Sequence, residues 1–323
     1  MSSTNSCSIT ILGSNSHLAT GLIHNFLNRT ETGLLLFTLN PKRLKAFLSD
    51  HHKDQISRVA IISSYDEFSS YPHQVIINCI GAGAPNALGP EYYKWFTIKD
   101  KYDNLVLNYL SRNTKTAYIN FSSGAVYGIH EGPVNEKSTL IIPVNDLKKQ
   151  HLYTIANLHA EAKHRSLAWL RITDIRIFSY FSRFADLGSG YFMTDAARAT
   201  ISGKEFSTSN DNMLRDYIHP SDIFNLVKII CNCENNSSVD AFTRAPISKK
   251  EILILLSSEF GLKYKTSCAS RASETPNGEN SVYYSARRNP SSYKWKPMFS
   301  SSESIREEMT HLVKMKTTSS IQQ

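Results

Sequence analysis

Apolar residues in the first 180 positions fall into two alternating kinds of run. Short blocks at 8–12, 34–39, 59–62, 75–80, 116–121 and 174–178 are rich in Ile, Leu and Val, as expected for strands buried on both faces. Between them the apolar residues recur at helical spacing. Leu18, Leu22, Ile23, Phe26 and Leu27 form the first such stretch, followed by 42–48, 92–110 and 152–170. Asn40-Pro41 stops the second block. This alternation predicts an α/β fold, a doubly wound parallel sheet with helices on both faces.

Beyond residue 179 the pattern changes. A loop-rich stretch holds one helix over 192–201, with further helices over 220–231 and 248–260. Residues 267–280 are polar and read as a surface loop. Ser300 and Glu303 form a capping box for a last helix carrying Ile305, Met309, Leu312 and Val313. The expected domains are a dinucleotide-binding unit over 1–178, to which 216–234 returns, and a smaller C-terminal α+β substrate domain over 179–215 and 235–313. A flexible tail covers 314–323.

Composition narrows the function. Of 323 residues, 41% are hydrophobic and 20% charged, which excludes a mainly disordered chain. No apolar run is long enough to span a bilayer, and the block at 9–12 is too short for a secretory signal. Cys7, Cys79, Cys231, Cys233 and Cys268 are scattered, so we expect no disulfide framework and a cytoplasmic protein. Cys231-Asn-Cys233 has no second half at ligand spacing, so no metal site is expected. The net charge of +8 is spread along the chain without a basic–aromatic cluster. That argues against nucleic acid and for small anionic partners such as phosphates.

The first strand leads through Gly13, Ser14, Asn15, Ser16, His17 and Leu18 to Ala19. A G-x-x-G-x-x-G turn would place glycines at 13, 16 and 19. Here Gly13 remains, with small Ser16 and Ala19 at the other two. Such a turn admits a pyrophosphate at a helix N-terminus; it is equally a tight βα connection. At the second strand end no acid stands where a ribose 2′-hydroxyl would be held. Asn40, Lys42 and Arg43 stand there instead, which favours a 2′-phosphate and hence NADP(H) over NAD(H). Asn78, Ile80 and Gly81, at the fourth strand end, are candidates for the adenosine side.

Three further blocks carry a resemblance. Ser122-Ser123-Gly124-Ala125-Val126-Tyr127-Gly128 leaves the fifth strand. Tyr153 follows thirty residues after Ser123, with Glu161 eight residues on. Arg215-Asp216-Tyr217-Ile218-His219-Pro220-Ser221-Asp222 is the third, and Trp295-Lys296-Pro297 is a weaker fourth. Together they resemble the extended short-chain dehydrogenase/reductase superfamily, in its NAD(P)-dependent sugar-nucleotide epimerase/dehydratase branch.

The resemblance implies hydride transfer at a carbinol carbon. Tyr153 would be the acid/base, Ser123 the hydroxyl that orients the substrate oxygen, and Ser122 a spare hydroxyl. Phe121 and Ser179 would flank the cofactor, and Arg215, Tyr180 and Arg287, with Arg288 beside it, would hold a nucleotide sugar. Asp216, His219 and Asp222 would join the domains. The family places a Lys four residues after the Tyr; here that position is Asn157, able to bond a ribose hydroxyl but not to supply charge. The family's 4,6-dehydratases carry an Asp-Glu pair after the Ser or Thr, where this chain has Gly124-Ala125. A ketoreductase or C4-epimerase is therefore expected, acting in the supply of modified sugars for polysaccharides, as a homodimer pairing helices 103–110 and 153–162. A catalytically silent cofactor- or sugar-nucleotide-binding regulator of the same fold stays open, as does a reductase of another carbonyl compound.

Overall fold

The structure is a computed structural model, which describes residues 8–81, 94–267, 281–287 and 293–321. In chain order the elements are β1 (Ser8–Leu12), α1 (His17–Arg29), β2 (Gly33–Phe37), α2 (Pro41–His51), β3 (Val59–Ile62), β4 (Val75–Asn78), α3 (Lys94–Leu110), β5 (Ala117–Ser123), α4 (Lys149–Ser166) and β6 (Ile172–Ile177). Then come β7 (Ser179–Tyr180), α5 (Phe192–Ser202), β8 (Phe206–Ser209), β9 (Leu214–Arg215), β10 (Tyr217–Ile218), α6 (Pro220–Ile230), β11 (Ser237–Ala241), β12 (Ile247–Ser248), α7 (Lys249–Phe260), β13 (Tyr264–Ser267), β14 (Val282–Tyr283) and α8 (Ser301–Ile321).

Among the described residues one seven-stranded sheet runs β11-β6-β5-β4-β1-β2-β3, with every pairing parallel. Its central strands are apolar on both sides because both sides are covered. On one face Ile11, Ile77, Ile119 and Phe121 pack with α1 and α6, where Phe26 meets Phe224 edge to face at 5.0 Å, a geometry that contributes about 0.5–1.5 kcal/mol beyond burial. On the other, Leu12, Ile76 and Tyr118 pack against Val106 and Leu110 of α3. The strand order reverses between β1 and β4, the place where open α/β sheets leave a crevice for a ligand.

A second core joins Phe181, Met193, Ala197, Ile252, Leu256, Ile305 and Met309 of the C-terminal elements. Asp216 and Asp222 tie it to the sheet. Asp216 accepts from the Thr243 N–H at 3.1 Å, and Asp222 from the N–H groups of Met298 (2.9 Å) and Phe299 (3.1 Å). His219 stacks on Phe299 at 3.9 Å.

Three boundaries differ from expectation. Residues 237–241, expected in the substrate domain, form the sheet's edge strand on β6; the segment mixes Ser and Asp with Val and Ala, so it shows no apolar block. The last helix continues through Ile321, where a tail is expected from 314. α4 begins at Lys149, three residues before its apolar pattern does. The Ser300–Glu303 capping box forms as expected, with the Ser300 N–H donating to Glu303 at 2.7 Å and the Glu303 N–H to Ser300 Oγ at 3.3 Å.

Candidate active site

The turn that leaves β1 is built from small residues. Gly13 has φ +70, a left-handed conformation that side chains disfavour, and a Cβ there would lie 2.8 Å from Ile80. Its N–H donates to the Tyr65 hydroxyl at 3.0 Å. Ser14 is buried and donates to the Ile11 carbonyl at 2.9 Å. Ser16 caps α1 by accepting from the Ala19 N–H at 3.3 Å. Ala19 is buried, Leu18 packs on the sheet, and among the described residues nothing lies within 4 Å of where a Gly81 Cβ would stand. A glycine in the strained turn, small residues behind it and a capped helix start at the sheet's reversal point together fit a dinucleotide pyrophosphate.

The other expected cofactor residues are placed as follows. The Asn40 side chain caps α2 by accepting from the Arg43 N–H at 3.1 Å, and its carbonyl accepts from Asn15 at 2.7 Å. Lys42 and Arg43 are exposed. Asn78 spends both ends of its amide on the protein, donating to Tyr118 at 2.9 Å and accepting from the Ile80 N–H at 2.9 Å. Its side chain is thus structural, and does not line an adenosine pocket. The Phe121 ring is part of the core, and Ser179 pairs with Tyr217 in β7–β10.

Tyr180 is a clear correction. We expected it toward the substrate, yet its ring lies 4.7 Å from that of His17, and a Cβ on Gly21 would fall 2.0 Å from its hydroxyl. A glycine in α1 lets the phenol press on the helix. His17 in turn bonds Ser182 at 2.8 Å, and burial lowers its pKa to about 4. The pair packs β7 against α1.

At the end of β5 the residues expected to be catalytic come together. Ser123 is buried and caps the tight turn over 124–127 by accepting from the Ala125 N–H at 3.2 Å. Its hydroxyl also bonds the Tyr283 hydroxyl at 3.1 Å. Thr154 fixes α4 to this turn by donating to the Ala125 carbonyl at 3.0 Å. Tyr153, one residue earlier, is half-buried against Trp95, with ring centroids 5.3 Å apart. Burial raises the Tyr153 pKa, and hydrogen bonds from Ser123 and Asn157 pull the other way. Asn157 is buried and donates to the Tyr153 carbonyl at 2.9 Å.

Ser122 does not join this set. The strand pleat turns it to the opposite face, where it donates to Glu161 Oε1 at 2.6 Å. Glu161 is held in turn by Arg176 at 2.6 Å. A Cβ on Gly124 would meet the Phe178 ring at 2.5 Å, so the residue after Ser123 has no room for a carboxylate.

Arg215 fits the expectation of an anion-binding residue. It is buried, donates to the carbonyls of Leu214 (3.0 Å) and Ser281 (3.4 Å), and lies 5.7 Å from the Tyr283 ring centroid. Among the described residues no carboxylate pairs with it, and burial lowers its pKa. Arg287 does not fit. Its guanidinium is committed to Asp240 at 3.3 Å and the Ser238 carbonyl at 3.1 Å. Arg288 lies outside the described residues.

Sequence reasoning missed Tyr283 and Trp95, because no spacing rule links residues 283 or 95 to a strand end at 123. It also missed the group His219, Glu307 and Glu308, whose ligand atoms lie within 4.8 Å of one another. That group is a domain joint. The Ser221 N–H donates to His219 Nδ1 at 3.1 Å, and the ring's Nε2 lies 3.4 Å from Glu308. Arg183 forks the same carboxylate at 2.6 and 3.0 Å, holding its pKa near 2.

The family model for the NAD dependent epimerase/dehydratase family matches residues 10–241. The chain belongs to this family. Solved structures of similar fold span nearly the whole chain. A UDP-glucose 4-epimerase from Stenotrophomonas maltophila, with bound NAD and formylated UDP-arabinopyranose, is 12% identical with a TM-score of 0.79, covering 97% of this chain and 99% of that one. A UDP-glucuronic acid 4-epimerase from Bacillus cereus, in complex with UDP-glucuronic acid and NAD, is 14% identical with a TM-score of 0.73, covering 95% and 99%. A dTDP-glucose 4,6-dehydratase from Bacillus anthracis, in complex with NAD, is 14% identical with a TM-score of 0.72, covering 97% and 98%. At these identities the likeness shows the fold. No curated protein matches the sequence. Among the described residues, no helix is long and apolar enough to cross a membrane.

Proposed function

We propose that the protein catalyses reversible hydride transfer at a carbinol carbon of a nucleoside diphosphate sugar, as a C4-epimerase or ketoreductase. The observation that carries this reading is a chain of contacts: buried Arg215, free of carboxylates among the described residues, reaches Ser123 through Tyr283. It brings an anion-binding group to the same place as a hydroxyl–phenol pair.

A bound nicotinamide ring supplies the hydride acceptor and donor. Tyr153 takes the proton of the substrate hydroxyl and returns it in the reverse step. Ser123 holds the same oxygen, which replaces the Tyr283 hydroxyl as its partner. Arg215 holds the diphosphate, a contact that suits a guanidinium fork. Elimination of water is disfavoured, because Phe178 closes the space beside Gly124.

The cofactor of this reading is a nicotinamide dinucleotide, and exposed Lys42 and Arg43 beside an acid-free strand end support the 2′-phosphate form. The similar structures above hold NAD, so the choice is best tested directly. Titration followed by nicotinamide fluorescence should show NADPH binding at least about tenfold tighter than NADH, equivalent to about 1.4 kcal/mol. Lys42→Ala with Arg43→Ala should erase the difference. Tighter NADH binding by the unaltered protein would refute the 2′-phosphate preference, and no binding of either form would refute hydride chemistry.

Arg215→Ala should weaken UDP binding by about 10- to 100-fold in calorimetry, the loss of a charged hydrogen-bond pair, with cofactor affinity unchanged. Unchanged UDP affinity would remove the diphosphate contact from the account. A second reading, a silent cofactor binder, is favoured by the raised pKa of Tyr153 and the uncharged Asn157. It requires cofactor binding without turnover of any nucleotide sugar.

A further inference from the structure

Helices α3 and α4 lie side by side and point the same way. Trp95 meets Tyr153 near their N-termini; further along, Asp100 pairs with Lys163 at 2.8 Å and Asp103 with His164 at 2.7 Å. One helical turn carries the chain four residues on along the same face. One turn beyond Trp95 is Lys99, and one turn beyond Tyr153 is Asn157. That spacing sets the two positions at the same level of the helix pair.

Lys99 is 6% exposed, and its ammonium donates to the Phe121 carbonyl at 3.2 Å. Phe121 stands two residues before Ser123 on β5. Among the described residues no carboxylate is within ion-pair distance of it. The carboxylates that act on it from further away have nearer partners. Asp103 has His164 and Lys163, Asp174 has His164 and Arg165, and Glu161 has Arg176. Tyr118 and Lys163 are the other titratable groups of this layer. Burying an ammonium costs several kcal/mol unless it is compensated, and one carbonyl is slender compensation. Burial lowers the Lys99 pKa, and a phenol that must ionise to act, one turn back along the helix pair, would supply the anion that offsets that burial.

We propose that Lys99 is the cation of the active site, reaching from α3 to the place that Asn157 leaves uncharged, where it favours the Tyr153 phenolate and is positioned to bond the cofactor ribose. This rests on the hydride-transfer reading above, and its test separates the two. The first readout needs neither cofactor nor substrate. Tyrosinate formation is followed by ultraviolet difference spectroscopy, and Tyr153 is isolated by subtracting the Tyr153→Phe variant. Lysine and phenol titrate as a coupled pair, so the first step is the one to read. Lys99→Met should raise it by about one to two units, and Lys99→Met with Asn157→Lys should bring it back. The second readout is turnover: a loss of about 10- to 100-fold in Lys99→Met, restored in the double variant.

A Lys99→Met protein that folds but shows an unmoved Tyr153 titration overturns the proposal, whatever the cofactor experiments show. So does a loss that Asn157→Lys fails to restore, which would mark Lys99 as a packing residue. Asn157→Lys alone keeps the test decisive if Lys99→Met does not fold. With a cation already in place the Tyr153 titration should move little, and a downward shift of two units or more would show that the site had lacked one. Loss of all cofactor binding with an intact Lys99 effect on Tyr153 would instead defeat the hydride-transfer reading and spare this one.

Discussion

Tyr153→Phe lowers turnover by about 10²- to 10⁴-fold, the usual contribution of a positioned proton-transfer group. Nucleotide-sugar and cofactor affinities should stay nearly unchanged. The substitution removes one oxygen and keeps the ring, so the edge contact with Trp95 survives and the N-terminus of α4 keeps its tie through Thr154 to Ala125. The loss should therefore fall on kcat, since the proton moves only in the transition state. The pH profile adds a second check. Burial raises the Tyr153 pKa, so the phenolate fraction is small at neutral pH and turnover should climb as pH rises toward the ionisation. In the Phe variant that climb should vanish. Steady-state kinetics over a pH series decides it, and a Phe variant with an unchanged rate would remove Tyr153 from the chemistry.

His164→Ala should destabilise the fold by about 3–5 kcal/mol, the cost of breaking a buried ion pair by removing one partner. His164 is fully buried and sits between two buried carboxylates, Asp174 at 2.9 Å from Nδ1 and Asp103 at 2.7 Å from Nε2. Burial alone would lower its pKa, but these carboxylates overcome it and raise the pKa to about 9. A raised histidine stabilises the folded state fully below its unfolded pKa near 6.5, and the contribution fades as pH rises through about 9. Urea unfolding should thus show wild-type stability falling between those two values. His164→Ala should flatten that part of the curve. A variant as stable as wild type, or with the same alkaline loss, would show that Lys163 and Tyr118 on Asp103, and Arg165 and Asn120 on Asp174, hold the carboxylates without it.

Much of the fold was legible in the chain. Six apolar blocks became six parallel strands because burial on both faces leaves no polar alternation to confuse the period. The seventh, β11, was not legible. It is an edge strand whose Ser238 and Asp240 hold Arg287, and a strand that serves polar partners carries no apolar signature. The site shows the same division. Ser123, Tyr153 and Arg215 stand out because their motifs keep local spacing. Tyr283 reaches Ser123 from 160 residues away in sequence, and Lys99 reaches β5 from a helix whose apolar pattern says nothing about a lysine. Side-chain direction was the other blind spot. Ser122 and Asn78 have the expected residue types, yet the pleat and the Tyr118 hydroxyl commit them elsewhere. Tyr180 turns to α1 because Gly21 leaves room for it.

The most direct test of the central claim is a single-turnover experiment. The purified protein, loaded with oxidised cofactor, is mixed with a panel of nucleoside diphosphate sugars, and the absorbance of reduced nicotinamide is followed. The account predicts that at least one sugar produces reduced cofactor in an amount set by the enzyme, and that Tyr153→Phe binds the same sugar without producing it. Binding of cofactor and sugar with no reduced nicotinamide at any pH would contradict the account and leave a protein that keeps the fold without the chemistry.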